Sequence, residues 1–350
     1  MVLLYSSHDE RRRGSMNDTQ RRRAPTRTDV ARLAGVSTAV VSYVTNDGPR
    51  PVAAATREKV LAAMRELDYR PNAVARALRL QRAQAVGLVV PDVSNTYFGA
   101  LARELSNQAF TAGYALLLGD SDDDPDREQA QIESLVSHQI DGLIIVSLAP
   151  DSVAEVNGTP TVYLNQRSQP GQLSLIVDNE GGARLAVAHL AGHGLRRIAH
   201  LGGREGAPGA DERRAGWAAE LAATGLEAEP ALIVQAEYSR IAGHEAAVEL
   251  LTRTPRPDAV FVASDVQALG LLAAARELGI SVPHDLAVVS FDGTDDAVFS
   301  DPPLTAVEQP IPAIAEAALQ AVLGQATPAA AGLVPVRLVV RASCGCPPGH

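Results

Sequence analysis

The chain is poor in the residues that would place it outside the reducing interior of a cell or inside a membrane. Its 350 residues include two cysteines, Cys344 and Cys346, which are too few for a disulfide framework. No apolar run approaches the roughly 20 residues that a membrane-spanning helix needs. The first apolar stretch is only Val2–Tyr5, and basic residues follow it instead of preceding it, unlike a signal peptide. We therefore expect a cytoplasmic protein with no membrane partner.

Charge is divided unevenly along the chain. Residues 1–82 hold 16 Lys and Arg against 8 Asp and Glu, whereas the remaining residues hold 15 against 33. A basic segment on an acidic body is typical of a head that docks on a polyanion. Two runs, Arg11–Arg13 and Arg21–Arg23, supply six of the basic residues, and we expect residues 1–24 to form a disordered leader. Met16 is an alternative start.

The stretch "TRTDVARLAGVSTAVVSYVTN" has the pattern of two short helices joined by a tight turn. Thr26 and Asp29 have the spacing of a capping box, Gly35 permits a chain reversal, and Ser37 is placed to cap a second helix ending near Asn46. In the second helix, the Val side faces a core and the opposite side stays available. That available side carries Thr38, Ala39, Ser42 and Tyr43.

A third helix is predicted from "EKVLAAMREL", whose apolar stripe covers the first two helices. Three such helices describe a helix-turn-helix head that inserts its second helix into the major groove of DNA, although any small three-helix bundle would show the same periodicity.

The segments "TDVARLAGVSTAVVSYVTN", "TREKVLAAMRELDYRPNAVARALR" and "AVGLVVPDVSNTYF" closely resemble the lactose-repressor and galactose-repressor (LacI/GalR) family of bacterial transcription regulators. The likeness runs from about Thr26 to Ser343. It implies a homodimer that binds a palindromic, double-stranded operator and responds to a small-molecule effector without a cofactor. The sequence departs from the family at Val40, where a phosphate-binding Thr is usual, and at Ala53, where a helix-capping Ser is usual.

The same resemblance implies a hinge helix in "RPNAVARALRL", which in the family orders on DNA and wedges an apolar side chain into the minor groove. From the residues alone, a linker helix packed on the body is the alternative. The predicted DNA contacts are Thr38, Ala39, Ser42, Tyr43 and Asn46 in the head, and Asn72, Ala75 and Leu78 in the hinge.

From Ala85 onward, nine apolar runs alternate with amphipathic stretches, from "AVGLVV" to "DLAVVSF". Buried apolar strands separated by helices indicate parallel sheets covered on both faces. The resemblance implies two Rossmann-like subdomains of the periplasmic-binding type, with the chain crossing near Val177, near Gln309 and after about Gly324. We predict five segments: leader 1–24, helix-turn-helix domain 25–70, hinge 71–82, two-subdomain α/β body 83–343 and tail 344–350.

Ligands of open α/β sheets bind at the carboxyl ends of the strands, so polar and aromatic residues there are candidates for effector contacts. Arg213 and Asp292 match the family's most recurrent polar contacts, and such a pair suits adjacent hydroxyls of a sugar. Asn165 and Ser264 depart from the usual Asp and Asn. The predicted set is Tyr97, Phe98, Asn165, Arg213, Tyr238, Ser264, Asp265 and Asp292.

Metal and catalytic motifs are weak in this sequence. His189 and His193 are four residues apart but show no third ligand, and Cys344-Gly-Cys346 is a lone pair in a Pro/Gly-rich tail. The acidic run "DSDDDPDREQAQ" has Pro125 where a calcium loop needs Gly. We predict no metal and no catalytic residues. The sequence favours a ligand-controlled repressor over a solute-binding protein, an enzyme or a purine-dependent regulator.

Overall fold

The computed structural model of the chain describes residues 25–45, 51–69, 83–148, 156, 158–165, 173–324 and 333–347. These residues fall into two compact units: a small helical head and a much larger α/β body. The predicted leader, the hinge and the tail's last three residues lie outside the described residues, as do Asn46, Asn72, Ala75 and Leu78. Within the described part, no helix is long and apolar enough to cross a membrane.

The head contains three helices, α1 (Arg27–Ala34), α2 (Thr38–Thr45) and α3 (Ala54–Glu66). The predicted capping box is present, since the Asp29 amide donates to Thr26 Oγ1 at 3.4 Å and the Thr26 amide donates to Asp29 Oδ2 at 2.9 Å. Gly35 ends α1 with φ 66°, a left-handed conformation that glycine adopts without strain. The turn into α2 therefore follows from the sequence.

A small apolar core holds these helices together. Val30 from α1, Val41 and Val44 from α2, and Val60 and Ala63 from α3 are buried against one another. This leaves the opposite side of α2 accessible, with Thr38 and Ala39 exposed and Ser42 and Tyr43 half-buried.

The N-terminus of α3 lacks a side-chain cap. Ala53 occupies the N-cap position with φ −55° and ψ 139° and makes no capping hydrogen bond. We expect Ala53→Ser to stabilise α3 by about 1 kcal/mol, because serine at this position accepts a hydrogen bond from an otherwise unpaired amide. Hydrogen exchange of the α3 amides in the intact protein should slow about fivefold. Ala62→Ser at an exposed site within α3 is the matched control, and equal responses of the two variants would contradict the capping argument.

The body contains twelve strands and eight helices among its described residues. The strands are β1 (Ala85–Val90), β2 (Ala115–Asp120), β3 (Gly142–Val146), β4 (Thr161–Leu164), β5 (Leu173–Val177), β6 (Ile198–Gly202), β7 (Ile233–Gln235), β8 (Ala259–Val262), β9 (Ala287–Asp292), β10 (Thr305–Glu308), β11 (Leu333–Val334) and β12 (Arg337–Val339). The helices are α4 (Thr96–Thr111), α5 (Pro125–Ser137), α6 (Asn179–Gly192), α7 (Pro208–Ala223), α8 (Arg240–Leu251), α9 (Asp265–Glu277), α10 (Asp295–Phe299) and α11 (Ile311–Val322).

These strands form two six-stranded sheets, each the centre of one lobe. The N-terminal lobe has the order β2-β1-β3-β4-β5-β11, and the C-terminal lobe has the order β7-β6-β8-β9-β10-β12. All pairings are parallel except that of β10 with β12. The predicted architecture of a helical head and a two-subdomain α/β body is thus confirmed, and each of the nine predicted runs contains a strand.

The chain crosses between the lobes three times. It leaves the first sheet after β5, returns after β10 as α11 packs on β3, β4 and β5, and crosses again between β11 and β12. Strands β10, β11 and β12 were not predicted from the sequence.

A fully buried histidine lies in the core of the C-terminal lobe. The ring of His200 stacks between Phe261 and Trp217, at centroid distances of 5.0 and 5.9 Å, and its Nδ1 lies 3.1 Å from the Phe261 carbonyl oxygen. Burial lowers the pKa of His200 to about 4, despite the opposing carbonyl contact. The folded protein therefore holds this side chain neutral at pH values where the unfolded chain protonates it.

The contribution of His200 to the stability of the body should consequently fall as the pH drops from about 6.5 towards 4. Because the folded pKa lies below the unfolded value, this contribution is complete above pH 6.5, and roughly 3 kcal/mol of it is lost by pH 4. We expect His200→Asn to remove that loss, as measured by urea unfolding followed through the single tryptophan. Burial raises the pKa values of Asp265 and Asp292, so these two groups stabilise the body as the pH falls. They are present in both the unaltered protein and the variant, so they do not affect the comparison. If the free energy of unfolding of His200→Asn changed with pH in parallel with that of the unaltered protein, His200 would not be the group responsible.

Candidate functional site

A cavity lies between the two lobes of the body, at the carboxyl ends of their strands. Ser147 follows β3, Asn165 follows β4, Asp292 ends β9 and Gln309 follows β10. The parallel sheets therefore deliver side chains from both lobes to one place. The residues that line the cavity are Asn95, Tyr97, Phe98, Ser147, Leu148, Asn165, Ala207, Pro208, Gly209, Ala210, Arg213, Tyr238, Ser264, Asp292 and Gln309.

Arg213 is the buried cation of this cavity. It lies on α7 with only 6% of its surface exposed, and its Nε donates to Asn179 Oδ1 at 2.9 Å. Nη1 donates to the Ala263 carbonyl oxygen, and Cζ lies 3.7 Å from the centroid of the Phe291 ring. These contacts fix the orientation of the guanidinium plane, so the group is preorganised for a ligand.

Asp292 faces Arg213 across the cavity wall. The distance from Asp292 Oδ1 to Arg213 Nη1 is 3.9 Å, longer than a direct hydrogen bond. Gln309 Nε2 donates to the same carboxylate oxygen at 2.8 Å. Burial raises the pKa of Asp292 to about 7, even though Arg213 favours the charged form. The pair therefore presents both polarities of hydrogen bonding to a ligand in a site shielded from water.

Aromatic side chains supply the apolar surface of the cavity. Asn95 caps α4 by accepting from the Tyr97 amide at 3.0 Å, which places Tyr97 and Phe98 in the first turn of that helix. Their rings pack edge to face with centroids 5.4 Å apart. Tyr238 reaches the cavity from the segment between β7 and α8, and burial raises the pKa of both tyrosines. Both phenols are consequently neutral hydrogen-bonding groups at physiological pH.

The structure places seven of the eight predicted contact residues on this cavity but corrects the eighth, Asp265. That carboxylate is buried beneath the site, where it accepts from Ser290 Oγ at 2.6 Å and from the Thr294 amide and hydroxyl at 2.6 and 2.8 Å. The position of Asp265 directly after β8 predicted that it would line the cavity. Its hydrogen bonds instead hold the loop that follows β9. Asp265 is therefore a structural residue.

Ser264 lines the cavity and also has a structural function. Its hydroxyl accepts from the Gln267 amide at 3.2 Å, capping α9, and lies 3.1 Å from Gln267 Oε1. Asn165 lines the opposite lobe's wall with φ 62°.

Several lining residues were missed from the sequence. Ser147 carried a usable signal, because it directly follows the predicted strand "DGLIIV". Gln309 was named only as a crossing point, since β10 was not recognised. The run Ala207–Ala210 forms the N-cap and the first turn of α7, and its small side chains bring backbone close to the cavity.

Side chains outside the cavity also bridge the lobes. The Thr96 hydroxyl of the N-terminal lobe donates to Asp296 of the C-terminal lobe, and Arg240 Nη2 donates to the same carboxylate at 2.8 Å. On another side, Arg204 pairs with Asp123. One hydrogen bond and one ion pair, Thr96–Asp296 and Arg204–Asp123, thus join the lobes outside the cavity.

The candidate DNA-reading surface is the accessible side of α2 in the head. Thr38 and Ala39 lie at the N-terminus of α2, with Ser42 and Tyr43 one turn further on the same side. Val40, at the family's usual phosphate-binding position, is half-buried and packs on the head's core.

Comparison with known protein families divides the chain into the same two parts, a DNA-binding head and an α/β body. Residues 26–72 match the family of bacterial regulatory proteins of the lacI type, and residues 187–344 match a periplasmic binding protein-like domain. The fold of each part agrees with its match.

Individual relatives span most of the chain. Catabolite control protein A of Priestia megaterium is 35% identical over 289 residues, covering 81% of this chain and 87% of that protein. The ribose operon repressor of Escherichia coli K12 is 33% identical over 308 residues, covering 86% and 93%. The solved structure of the lac repressor dimer bound to operator and the anti-inducer ONPF has a TM-score of 0.81 at 30% identity, covering 92% of this chain and 99% of that one. The chain belongs to the LacI family of bacterial regulatory proteins and is a ligand-responsive, DNA-binding transcription regulator.

Proposed function

We propose that the protein is a repressor that binds a palindromic operator as a homodimer and is controlled by a small, neutral, polyhydroxylated effector of the monosaccharide class. The observation that carries the choice of effector is the buried pair Arg213 and Asp292, separated by 3.9 Å in the cavity between the lobes. A ligand with adjacent hydroxyls would accept from the guanidinium and donate to the carboxylate.

The surroundings of the pair favour hydroxyls. Gln309 Oε1 is buried and has no hydrogen-bond partner among the described residues, so it offers an acceptor for a ligand donor. Asn165, Ser147 and Asn95 add polar groups from the other lobe. Tyr97 and Phe98 offer apolar surface for the faces of a sugar ring.

Charge argues against a phosphorylated effector. Arg213 and Asp292 are the charged side chains among the described residues that line the cavity, and their charges oppose each other. A phosphate would add about two negative charges with no further cation to offset them, at a large desolvation cost. Neutral sugars and polyols are therefore expected to bind better than sugar phosphates.

An effector that touches both lobes would favour their closed arrangement, because it binds that state more tightly. The hydrogen bond of Thr96 with Asp296 and the ion pair of Asp123 with Arg204, which join the two lobes, would act in the same direction. We propose that the closed and open states differ in how the two hinges of a dimer, residues 71–82, pair on DNA. Leu78 would then be the residue that enters the minor groove, assisted by Asn72 and Ala75.

The homodimer is a further part of this proposal. Ile241 and Phe299 are exposed large apolar residues in adjacent segments, since Arg240 is bonded to Asp296. Such side chains are typical of subunit contacts. Analytical ultracentrifugation should give twice the mass of the chain, and a monomer at micromolar concentration would contradict this part.

The effector class can be tested by thermal unfolding of the intact protein with neutral sugars, polyols, sugar phosphates and purines. A bound ligand at 100 times its dissociation constant adds about 2.7 kcal/mol, a shift of several degrees for a body of this size. The hit should then change affinity for the protein's own promoter DNA. Stabilisation by purines or sugar phosphates in place of neutral sugars would contradict the proposed effector.

We also infer a cytoplasmic protein without catalytic activity. Arg213 and Asp292 are engaged in hydrogen bonds that hold them in place, and the effector should leave the cavity chemically unchanged. Incubation of the identified effector with the protein, followed by mass spectrometry, should return it intact. Product formation that Asp292→Asn abolishes would instead indicate an enzyme.

A further inference from the structure

Two histidines and two cysteines from distant parts of the chain meet at one place on the C-terminal lobe. His189 and His193 lie at the end of α6, whereas Cys344 and Cys346 lie beyond β12, and Cys346 follows His193 by 153 positions in the sequence. One ligand atom from each of the four side chains lies within 4.8 Å of the other three. In the sequence each pair lacks further ligands, and the fold supplies each pair with the other.

Local structure explains why the four groups point together. Residues four apart share one face of a helix, so His189 and His193 are neighbours on α6, with ring centroids 4.7 Å apart. Cys344 ends a short 3-10 turn, and Gly345 follows with φ 93°, which reverses the chain and returns Cys346 to the same side. The turn is anchored because Ser343 Oγ accepts from the Thr305 amide at 2.8 Å and donates to the Val288 carbonyl oxygen at 2.6 Å.

The distances fit a tetrahedral ion. Zinc bonds of about 2.0–2.1 Å to nitrogen and about 2.3 Å to sulfur place two nitrogens about 3.3 Å apart, and a nitrogen and a sulfur about 3.6 Å apart. His189 Nε2 and His193 Nε2 are separated by 3.3 Å. Cys346 Sγ lies 3.8 Å from His189 Nε2 and 3.3 Å from His193 Nε2.

The ligand types and their exposure also suit zinc. Two thiolates and two imidazoles form a common donor set of structural zinc sites and would leave the ion with no net charge. His193 is exposed and Cys346 is half-buried, so an ion can enter from solvent, whereas Cys344 is buried and fixed. Thr305 Oγ1 lies 3.1 Å from Cys344 Sγ, where it can support a thiolate.

We propose that His189, His193, Cys344 and Cys346 bind one zinc ion in a closed structural site. The ion would fasten the C-terminal segment to α6 and so stabilise the C-terminal lobe, independently of effector and DNA. This proposal concerns a site separate from the cavity between the lobes, and it holds whichever effector that cavity binds.

Zinc content and zinc affinity test the proposal. The full chain would be purified under reducing conditions without a histidine tag, assayed for metal, stripped with a chelator and titrated with zinc against a chromophoric competitor. We expect one zinc per chain, a rise in Tm of several degrees on zinc addition, and thiolate-to-metal charge transfer when cobalt(II) replaces zinc. Cys346→Ser and His193→Ala should each weaken zinc binding at least tenfold and remove the Tm response.

His138→Ala is the matched control, because His138 is also an exposed histidine at the C-cap of a helix, α5, in the other lobe. It should bind zinc as the unaltered chain does. Both test substitutions change side chains outside the buried core, so the variants should stay folded. The proposal is overturned if the chain takes up no stoichiometric zinc, if the two variants bind it as tightly as the control, or if the cysteines instead oxidise to a disulfide that excludes the ion.

Discussion

Replacement of Arg213 by alanine should abolish the response to the effector while leaving effector-free DNA binding in place. Arg213 is buried and holds Asn179, the Ala263 carbonyl oxygen and Asp292 in one arrangement. Truncation of one member of a buried charged pair costs about 3–5 kcal/mol, because the remaining charge loses its partner. We therefore expect at least about a 100-fold loss of effector affinity, measured by calorimetry, and a fall in Tm of roughly 10 °C.

Arg214→Ala is the matched control for this experiment. Arg214 is the next residue on α7, but it is partly exposed and pairs with Glu205 and Asp211 at the surface. Its removal should change the free energy of unfolding by about 1 kcal/mol or less and leave effector binding intact.

A second substitution separates a lost contact from a damaged fold. Asp292→Asn keeps the size of the side chain, and asparagine tolerates the positive φ of 112° found at this position. Because burial already disfavours the charged carboxylate, this variant should remain folded yet bind the effector at least tenfold more weakly. Unchanged effector affinity in both Arg213→Ala and Asp292→Asn would show that the pair does not contact the ligand.

Replacement of Tyr43 by alanine should remove base discrimination by the head. Tyr43 lies on the accessible side of α2, outside the buried core formed by Val30, Val41 and Val60. Contacts of a recognition helix to base edges contribute about 1–3 kcal/mol of discrimination each. We expect a roughly 10- to 100-fold loss of affinity for the operator, with little change for random duplex.

The salt dependence of binding distinguishes base contacts from phosphate contacts. Tyr43→Ala should leave the slope of log affinity against log salt unchanged, because no phosphate-binding cation is removed. Glu66→Gln, at the exposed end of α3, is the control and should preserve the ranking of operator variants. Equal losses by Tyr43→Ala on operator and random DNA would contradict a reading function for this side of α2.

The head was predictable in detail because its determinants are local. These determinants are the capping box at Thr26 and Asp29, the left-handed Gly35 and the Val stripe of α2. Each depends on residues within one or two helical turns, so it can be recognised from a short stretch of sequence. The nine apolar runs of the body were equally readable, since strands buried on both faces need apolar residues throughout. The sequence by itself therefore determined the helices of the head, nine of the strands of the body and the opposite charges of head and body, and its family resemblance pointed to Arg213 and Asp292.

Tertiary structure decided which of the predicted side chains share a site. Asp265 and Asp292 look alike in sequence, each at the end of an apolar strand, but only the folded chain turns one towards Ser290 and Thr294 and the other into the cavity. Gln309 and the pairs His189–His193 and Cys344–Cys346 gained meaning only when the chain crossed between lobes and returned. The physical reason is that such contacts join residues tens to hundreds of positions apart, and their geometry depends on sheet order and packing, which no local spacing records.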